Sequence, residues 1–445
     1  MTRAIASLLL LLPLPALAGV GLVPVGGWST GAFDEGGAEI AAFDPATARL
    51  FVVNGAAATL DVLDLSDPTA PTLVRRVDVT PWGGGANSVA VHDGLVAVAV
   101  EADPKQDPGL VLFLDTDGAF LGTAEAGALP DMLAFTPDGS AVVVANEGEP
   151  DATYSDDPAG SVTIVDLTAG VSGAVSTHVH FDDFVGGLDP DVRVFGPGAD
   201  ASVDLEPEYV AVSHDGKTAW VTLQENDALA IVDLRAGVVT DVVPLGFKDH
   251  TLPGAGLDAS DRDGGVAIAT WPVHGMYQPD AIATVRHRGR AYLLTANEGD
   301  ARDYDGFGEE ARVADVVLDP DAFPGATALQ ARGALGRLKI TPTLGDPDQD
   351  GDFDALYSFG ARSFSVWDAA GTLVWDSGEQ LERLTALAEP ALYNADNAQN
   401  GADARSDDKG PEPEGLVVGK VAGRDHVFVG LERTGGIAVY DVSDP

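Results

Sequence analysis

The stretch from Asp346 to Asp354 reads DPDQDGDFD, a run of carboxylates bent around one glycine. Asp346, Asp348, Asp350 and Asp354 stand at positions one, three, five and nine, and Asp352 adds a fifth carboxylate. Oxygen donors at this spacing wrap a hard divalent cation, and Gly351 at position six permits the tight bend. The expected ion is calcium; an acidic turn without an ion is the alternative. A helix–loop–helix calcium site needs Glu at position twelve, where Tyr357 stands. The loop also leads into an apolar stretch, Ala355 to Phe359, that reads as a strand. Asp258 to Gly265, DASDRDGG, is a weaker relative, with Ala259 interrupting the spacing.

A second group of acids is dispersed along the chain but recurs at equivalent places. Glu39, Asp131, Glu208, Asp280 and Glu414 each precede an apolar strand, and Glu101, Glu147, Glu225, Glu298 and Glu432 each follow one. Carboxylates brought together in this number must bind cations, pair with bases or take up protons. Arg302, Arg312, Arg362 and Arg433 lie in the same connections and could pair with them. Capping of turns and strand ends is the competing role for such acids. Nucleophilic chemistry has little support: H-E-x-x-H and a phosphate-binding glycine loop are absent from the sequence. His178 and His180 alone do not make a zinc site; His250 and His274 flank the 246–277 connection as candidate acid/base groups, with surface or packing roles as the alternative.

The elements that must position these acids repeat. Each copy is an acid, often beside proline, then a short apolar strand, a polar turn, a second strand ending in Asn-Glu or similar, and a third ending in Asp-Leu or Asp-Val. Seven copies are read, beginning near Glu39, Asn87, Pro130, Glu206, Pro279, Ala355 and Glu412. Short strands rich in Val, Ile and Leu, separated by turns such as Asp93-Gly94, Asp138-Gly139 and Asp215-Gly216, predict an all-β chain. Three or four strands per copy, repeated, predict a β-propeller of about seven blades. In that fold the first strand starts, and the second ends, on one face, because antiparallel neighbours reverse direction. The dispersed acids therefore share one channel mouth. Gly21 to Ser29 is expected to supply the outer strand of the last copy and so close the ring. Long connections at about 168–205, 246–277, 300–352 and 369–411 interrupt the pattern.

Bulk composition sets the surroundings. Asp and Glu total 70 against 25 Lys and Arg, a net charge of -45, which repels nucleic acid and anionic membranes. The chain has no cysteine, so thiol catalysis and disulfides are excluded. Met1 to Ala18 has the Arg3 n-region, an apolar core and an Ala16-Leu17-Ala18 end of a signal peptide, leaving 19–445 as one domain outside the cytoplasm. No later segment is apolar for the roughly 20 residues of a membrane span.

Several phrases are specific: ANEGEP at 145–150, DLEPEYVAVS at 204–213, TANEGDARDY at 295–304, FGARSFSVWD at 359–368 and GLERTGGIAVYD at 430–441. On these the chain resembles the choice-of-anchor I domain proteins, bacterial relatives of a sea-urchin mesenchyme-specific cell-surface glycoprotein. The resemblance implies a secreted or surface-anchored propeller, with some members described as alkaline phosphatase-like. Relatives continue past the YDVSDP-like turn, so an eight-bladed pattern with its last blade missing is the alternative to seven.

Three functions are compatible with these residues. One is a calcium-stabilised binding protein whose partners are divalent cations and a cell-surface or phosphate-containing ligand. Another is a metal-dependent phosphoesterase using the acidic ring, with Arg302, Arg362 and Lys248 holding the phosphate charge. The last is a scaffold whose acids only solubilise.

Overall fold

The computed structural model describes residues 20–32, 36–396 and 398–445. Met1 to Ala18, read as a signal peptide, lies outside the described residues. No described helix is long and apolar enough to cross a membrane.

Among the described residues, six antiparallel sheets stand around one channel, and the chain is a β-propeller. The first sheet pairs Ala41–Asp44, Arg49–Asn54, Thr59–Asp64 and Thr72–Asp78 in chain order. The second begins at Gly85–His92, the third at Pro130–Phe135 and the fourth at Pro207–Val212, each with four strands in the same order. Their second strands repeat a run of buried aliphatics, as in Val142 to Ala145, because both faces of a blade pack on neighbours.

The fifth sheet departs from the seven-copy reading. Ile282–His287 and Arg290–Asn297 pair with Ser363–Asp368 and Leu373–Asp376, so the fifth and sixth copies form one blade. The expected strand Ala355–Phe359 shrinks to Tyr357–Ser358. It joins a separate three-stranded sheet with Phe247–Asp249 and His274–Met276. The physical reason is packing. This connection has its own core of Leu257, Val273, Val313, Leu335, Leu338, Ile340 and Leu356, which draws the strand away from the ring.

The sixth sheet has three strands, Pro413–Val421, Arg424–Leu431 and Ile437–Asp441. Residues 20–32 add no strand to it. Gly26 instead packs against the Pro68–Thr69 turn of the first sheet. Apolar clusters join each consecutive pair of sheets from first to sixth. Between the sixth and the first lies a cleft of about 760 Å³, walled by Gly36 to Ile40 on one side and Gly430 to Arg433 on the other.

Strand direction explains where the long connections go. Links from second to third strands, and from fourth strands to the next blade, emerge on one face. The connections at 180–206, 245–281, 298–362 and 377–412 all leave there. Among the described residues, the links on the opposite face are short, the longest being 167–174. Asp64, Asp115, Asp166, Asp233, Asp368 and Asp441 end the third strands and each accept a hydrogen bond from the backbone N–H two residues on, at 2.7–3.0 Å. The recurrent Asp of the third strand is thus a turn cap.

Candidate functional site

The Asn-Glu pair at second-strand ends divides its work. Asn146 is fully buried: its Oδ1 accepts from Gly127 N at 3.0 Å, and its Nδ2 donates to Ser161 O at 3.0 Å and Thr163 Oγ1 at 2.9 Å. Asn297 likewise donates to Ser363 Oγ and Ser365 Oγ at 3.1 and 2.7 Å. The asparagine locks the blade edge, and the next residue, Glu147 or Glu298, is left to face the channel. Asn146→Ala strands buried polar partners and is expected to cost about 3 kcal/mol, read as a lowered denaturant midpoint.

The first-strand acids are aimed by β-bulges. The register with the second strand skips Glu208 and Tyr209 between Pro207 and Val210, Glu414 and Gly415 between Pro413 and Leu416, and Asp131 and Met132 between Pro130 and Leu133. An extra residue at a bulge re-aims its side chain, and the preceding proline has no N–H to lose from the ladder.

The result is a cavity of about 310 Å³ to which every sheet contributes: Glu39, Ser88, Asp131, Glu208, Asp280 and Glu414 all line it. Burial raises several of these carboxyls and their neighbours at second-strand ends, and nearby carboxylates raise them further. Asp131 and Glu225 are pushed up to about 7, Glu414 to about 7 and Glu298 to about 8. Glu147, Glu208 and Asp280 also lie well above the usual carboxylate range, each facing two or more of the others. Glu432 is raised by burial and Glu412, against the pull of Arg433.

Bases meet only part of this ring. Lys409 lies 3.4 Å from Glu298 and 3.0 Å from Asp300. Arg405 and Arg433 grip the fully buried Glu412, at 2.6 and 3.0 Å, and Arg433 also reaches Glu432 at 2.8 Å. Lys105 pairs with Glu149. Arg302 sits behind the mouth, only 3% exposed, paired with Asp204 and, at 2.9 Å, with Glu206. Glu149, Asp204, Glu206, Asp300, Lys105, Arg405, Lys409 and Glu412 escaped the sequence reading. The repeated E-P-E and N-E-G-[DE] phrases were the available signal, since each holds a second acid two residues from the first.

Arg362 is placed off the rim. Its guanidinium donates to Glu382 Oε1 at 2.8 Å and to the carbonyls of Asp258, Ser406 and Asp408 at 2.6–2.8 Å, which ties three connections together. Arg312 is also elsewhere, on Asp407 at 2.6 Å. Asp258 is buried and accepts from Ala267 N at 2.7 Å and Tyr393 Oη at 3.1 Å, so the DASDRDGG stretch spends its first acid on structure. His178 bonds Thr163 Oγ1 at 2.9 Å, and buried His250 is held well below the usual imidazole range by burial and by Lys248.

The loop at 346–354 is a separate feature. Carboxylate oxygens of Asp346, Asp348 and Asp350 lie within 4.8 Å of one another. Asp346 accepts from the N–H groups of Asp350 and Gly351 at 3.2 and 3.1 Å, and Gly351 takes a φ of +98°, open to glycine. Asp352 and Asp354 are raised by partial desolvation, then by neighbouring acids that include Asp319. Asp319 comes from earlier in the same connection, held here by Asp319 N donating to Phe353 O at 3.1 Å.

The choice-of-anchor I domain model matches residues 39–445. The chain is 30% identical over 291 residues to the mesenchyme-specific cell surface glycoprotein of Strongylocentrotus purpuratus, covering 57% of this chain and 36% of that protein. It is 39% identical over 120 residues to Gigasin-3a of Magallana gigas, covering 25% of this chain and 42% of that one. It therefore spans well under half the length of either relative. Among solved structures, the β-propeller domain of Myceliophteria thermophila Cps50 (Swd1) aligns with 92% of this chain and 98% of its own at 12% identity, with a TM-score of 0.37. The match across nearly the whole described ring settles the family: this chain belongs to the choice-of-anchor I domain family.

Proposed function

We propose that the chain is an extracellular, surface-located propeller that binds calcium and presents its long-connection face to a cell-surface ligand. The observation carrying the calcium part is the cluster of Asp346, Asp348 and Asp350 oxygens around the Gly351 bend. Three carboxylates and hydrogen-bond-fixed Asp346 suit a hard ion that takes six to eight oxygens, and solvent on this exposed loop supplies the rest. The leader-like Met1 to Ala18 and the cell-surface name of the sea-urchin relative support the location.

The phosphoesterase reading has less support. The bases it needs are occupied: Arg302 by Asp204 and Glu206, Arg362 by Glu382 and three carbonyls, and Lys248 by Asp376 at 3.1 Å and the carbonyls of Ala361 and Gly378 at 2.8 Å. A phosphate would have to break these buried pairs to be held.

The test of the loop is thermal unfolding in chelator and in calcium. Calcium at a hundred times its Kd stabilises by about 2.7 kcal/mol for one site. The double variant D346N/D350N should lose that part of the response and keep the fold, since both side chains are partly solvent-exposed. An unchanged calcium response in this variant would remove the loop from the proposal.

A further inference from the structure

We propose that the channel mouth holds a second divalent-cation site, formed by Asp131, Glu147, Glu208 and Glu225 and distinct from the loop at 346–354. The bases of the mouth are unevenly distributed. Glu298, Glu412 and Glu432 form the tightest carboxylate group there, with oxygens within 4.8 Å. That group is already answered by Lys409, Arg405 and Arg433. On the opposite arc, Asp131, Glu147 and Glu208 make no ion pair among the described residues, and each is crowded by further acids. Lys105 and Arg302 flank this arc, but their close partners are Glu149, Asp204 and Glu206.

Unpartnered buried oxygens mark the same place. Glu225 is 7% exposed, and its Oε2 has no hydrogen-bond partner among the described residues; Glu208 Oε2 is likewise unpartnered. Ser88 is 1% exposed, lines the channel cavity and leaves its Oγ unpartnered too. A buried polar atom with no partner costs about 1–3 kcal/mol, so Glu208 Oε2 and Ser88 Oγ on the cavity, with Glu225 Oε2 buried near Glu208, call for an occupant. The charged donors here are all carboxylate oxygens and no imidazole lines the cavity, which favours calcium, magnesium or manganese over zinc or copper. A cavity of about 310 Å³ has room for the ion with part of its water shell.

The experiment is calcium titration of the chelator-stripped full chain by calorimetry, comparing wild type, D346N/D350N and E208Q/E225Q. Two classes of site are expected in wild type, with each double variant losing a different one. In E208Q/E225Q the mouth affinity falls by at least about tenfold, since affinity follows the charge of the ligand set. Tyr209 lines the cavity, so terbium bound there to D346N/D350N should show tyrosine-sensitised emission that Tyr209→Phe abolishes without changing the ion count. Wild-type stoichiometry and affinity retained in E208Q/E225Q would overturn the proposal, as would absence of sensitised emission. Loss of the loop site alone would count against the loop reading and leave this one standing.

Discussion

In chelator, the protein is expected to melt at a higher temperature at pH 5 than at pH 8. The sign follows from which state holds more protons. The folded-state pKa values of Asp131, Glu225, Glu414 and Glu298 lie at about 7 to 8, against about 4 in the open chain. Between those limits the folded state binds more protons than the unfolded, so stability falls as pH rises through the window. Below about pH 4 both states are protonated and the penalty vanishes; above about pH 8 it is complete. Each tenfold change in proton affinity is worth about 1.4 kcal/mol, which makes Glu225 alone worth on the order of 3 kcal/mol. The neighbours share one field, so their penalties do not add. Carboxyls on the opposite face act the other way: hydrogen bonds from Ser140 and Lys217 hold Asp138 and Asp215 at about 2, so their contribution disappears only in strong acid. The optimum should fall near pH 5. Calcium added at pH 8 should recover much of the loss by replacing the absent protons as counter-charge. A melting temperature that climbs steadily from pH 5 to pH 8 without metal would show that the ring is not compressed as described.

Replacing Arg302 with Met should be the most damaging single substitution. Arg302 pairs with Asp204 and Glu206, donates to Asp204 O at 2.9 Å, and lies over the Phe195 ring at 4.5 Å. Both acids are about 2% exposed. Removing the guanidinium leaves two buried carboxyls without their base, and breaking a buried pair in this way costs about 3–5 kcal/mol. Asp204 also accepts from Phe195 N and Gly196 N, at 2.8 and 2.9 Å, so the 193–206 connection should loosen with it. The check is urea unfolding followed by proteolysis: a lower midpoint with cleavage inside 180–206. The triple change R302M/D204N/E206Q should recover part of the loss, because it removes the stranded charges as well. A destabilisation of R302M below about 1 kcal/mol, the range of solvent-exposed pairs, would show that water reaches the site.

Both expectations depend on residues whose importance was only partly visible in the chain. The ring acids were legible because proline-acid at a strand start and Asn-Glu at a strand end recur at blade spacing. The bulge that turns Glu208 and Glu414 inward was not, since register is a property of two strands. Arg302 was legible as a base near acids, but its partners Asp204 and Glu206 are 96 to 98 residues away. The repeat was over-read at Ala355–Phe359, where apolar residues of the right length serve a different core. It was also over-extended at Gly21 to Ser29, which forms no strand and is mostly exposed, touching the first sheet at Gly26.

The local pattern alone determined the β class, the tight turns on one face, the place of each recurring acid relative to its strand, and the carboxylate loop around Gly351. These follow from interactions spanning a few residues, where spacing equals geometry. Tertiary structure decided the number of blades, the merging of two copies into one sheet, and the division of the ring into an arc closed by Lys409, Arg405 and Arg433 and an arc left open. Those outcomes depend on which distant surfaces bury apolar area together and where long basic side chains reach once they have done so. Neither quantity is a function of sequence distance.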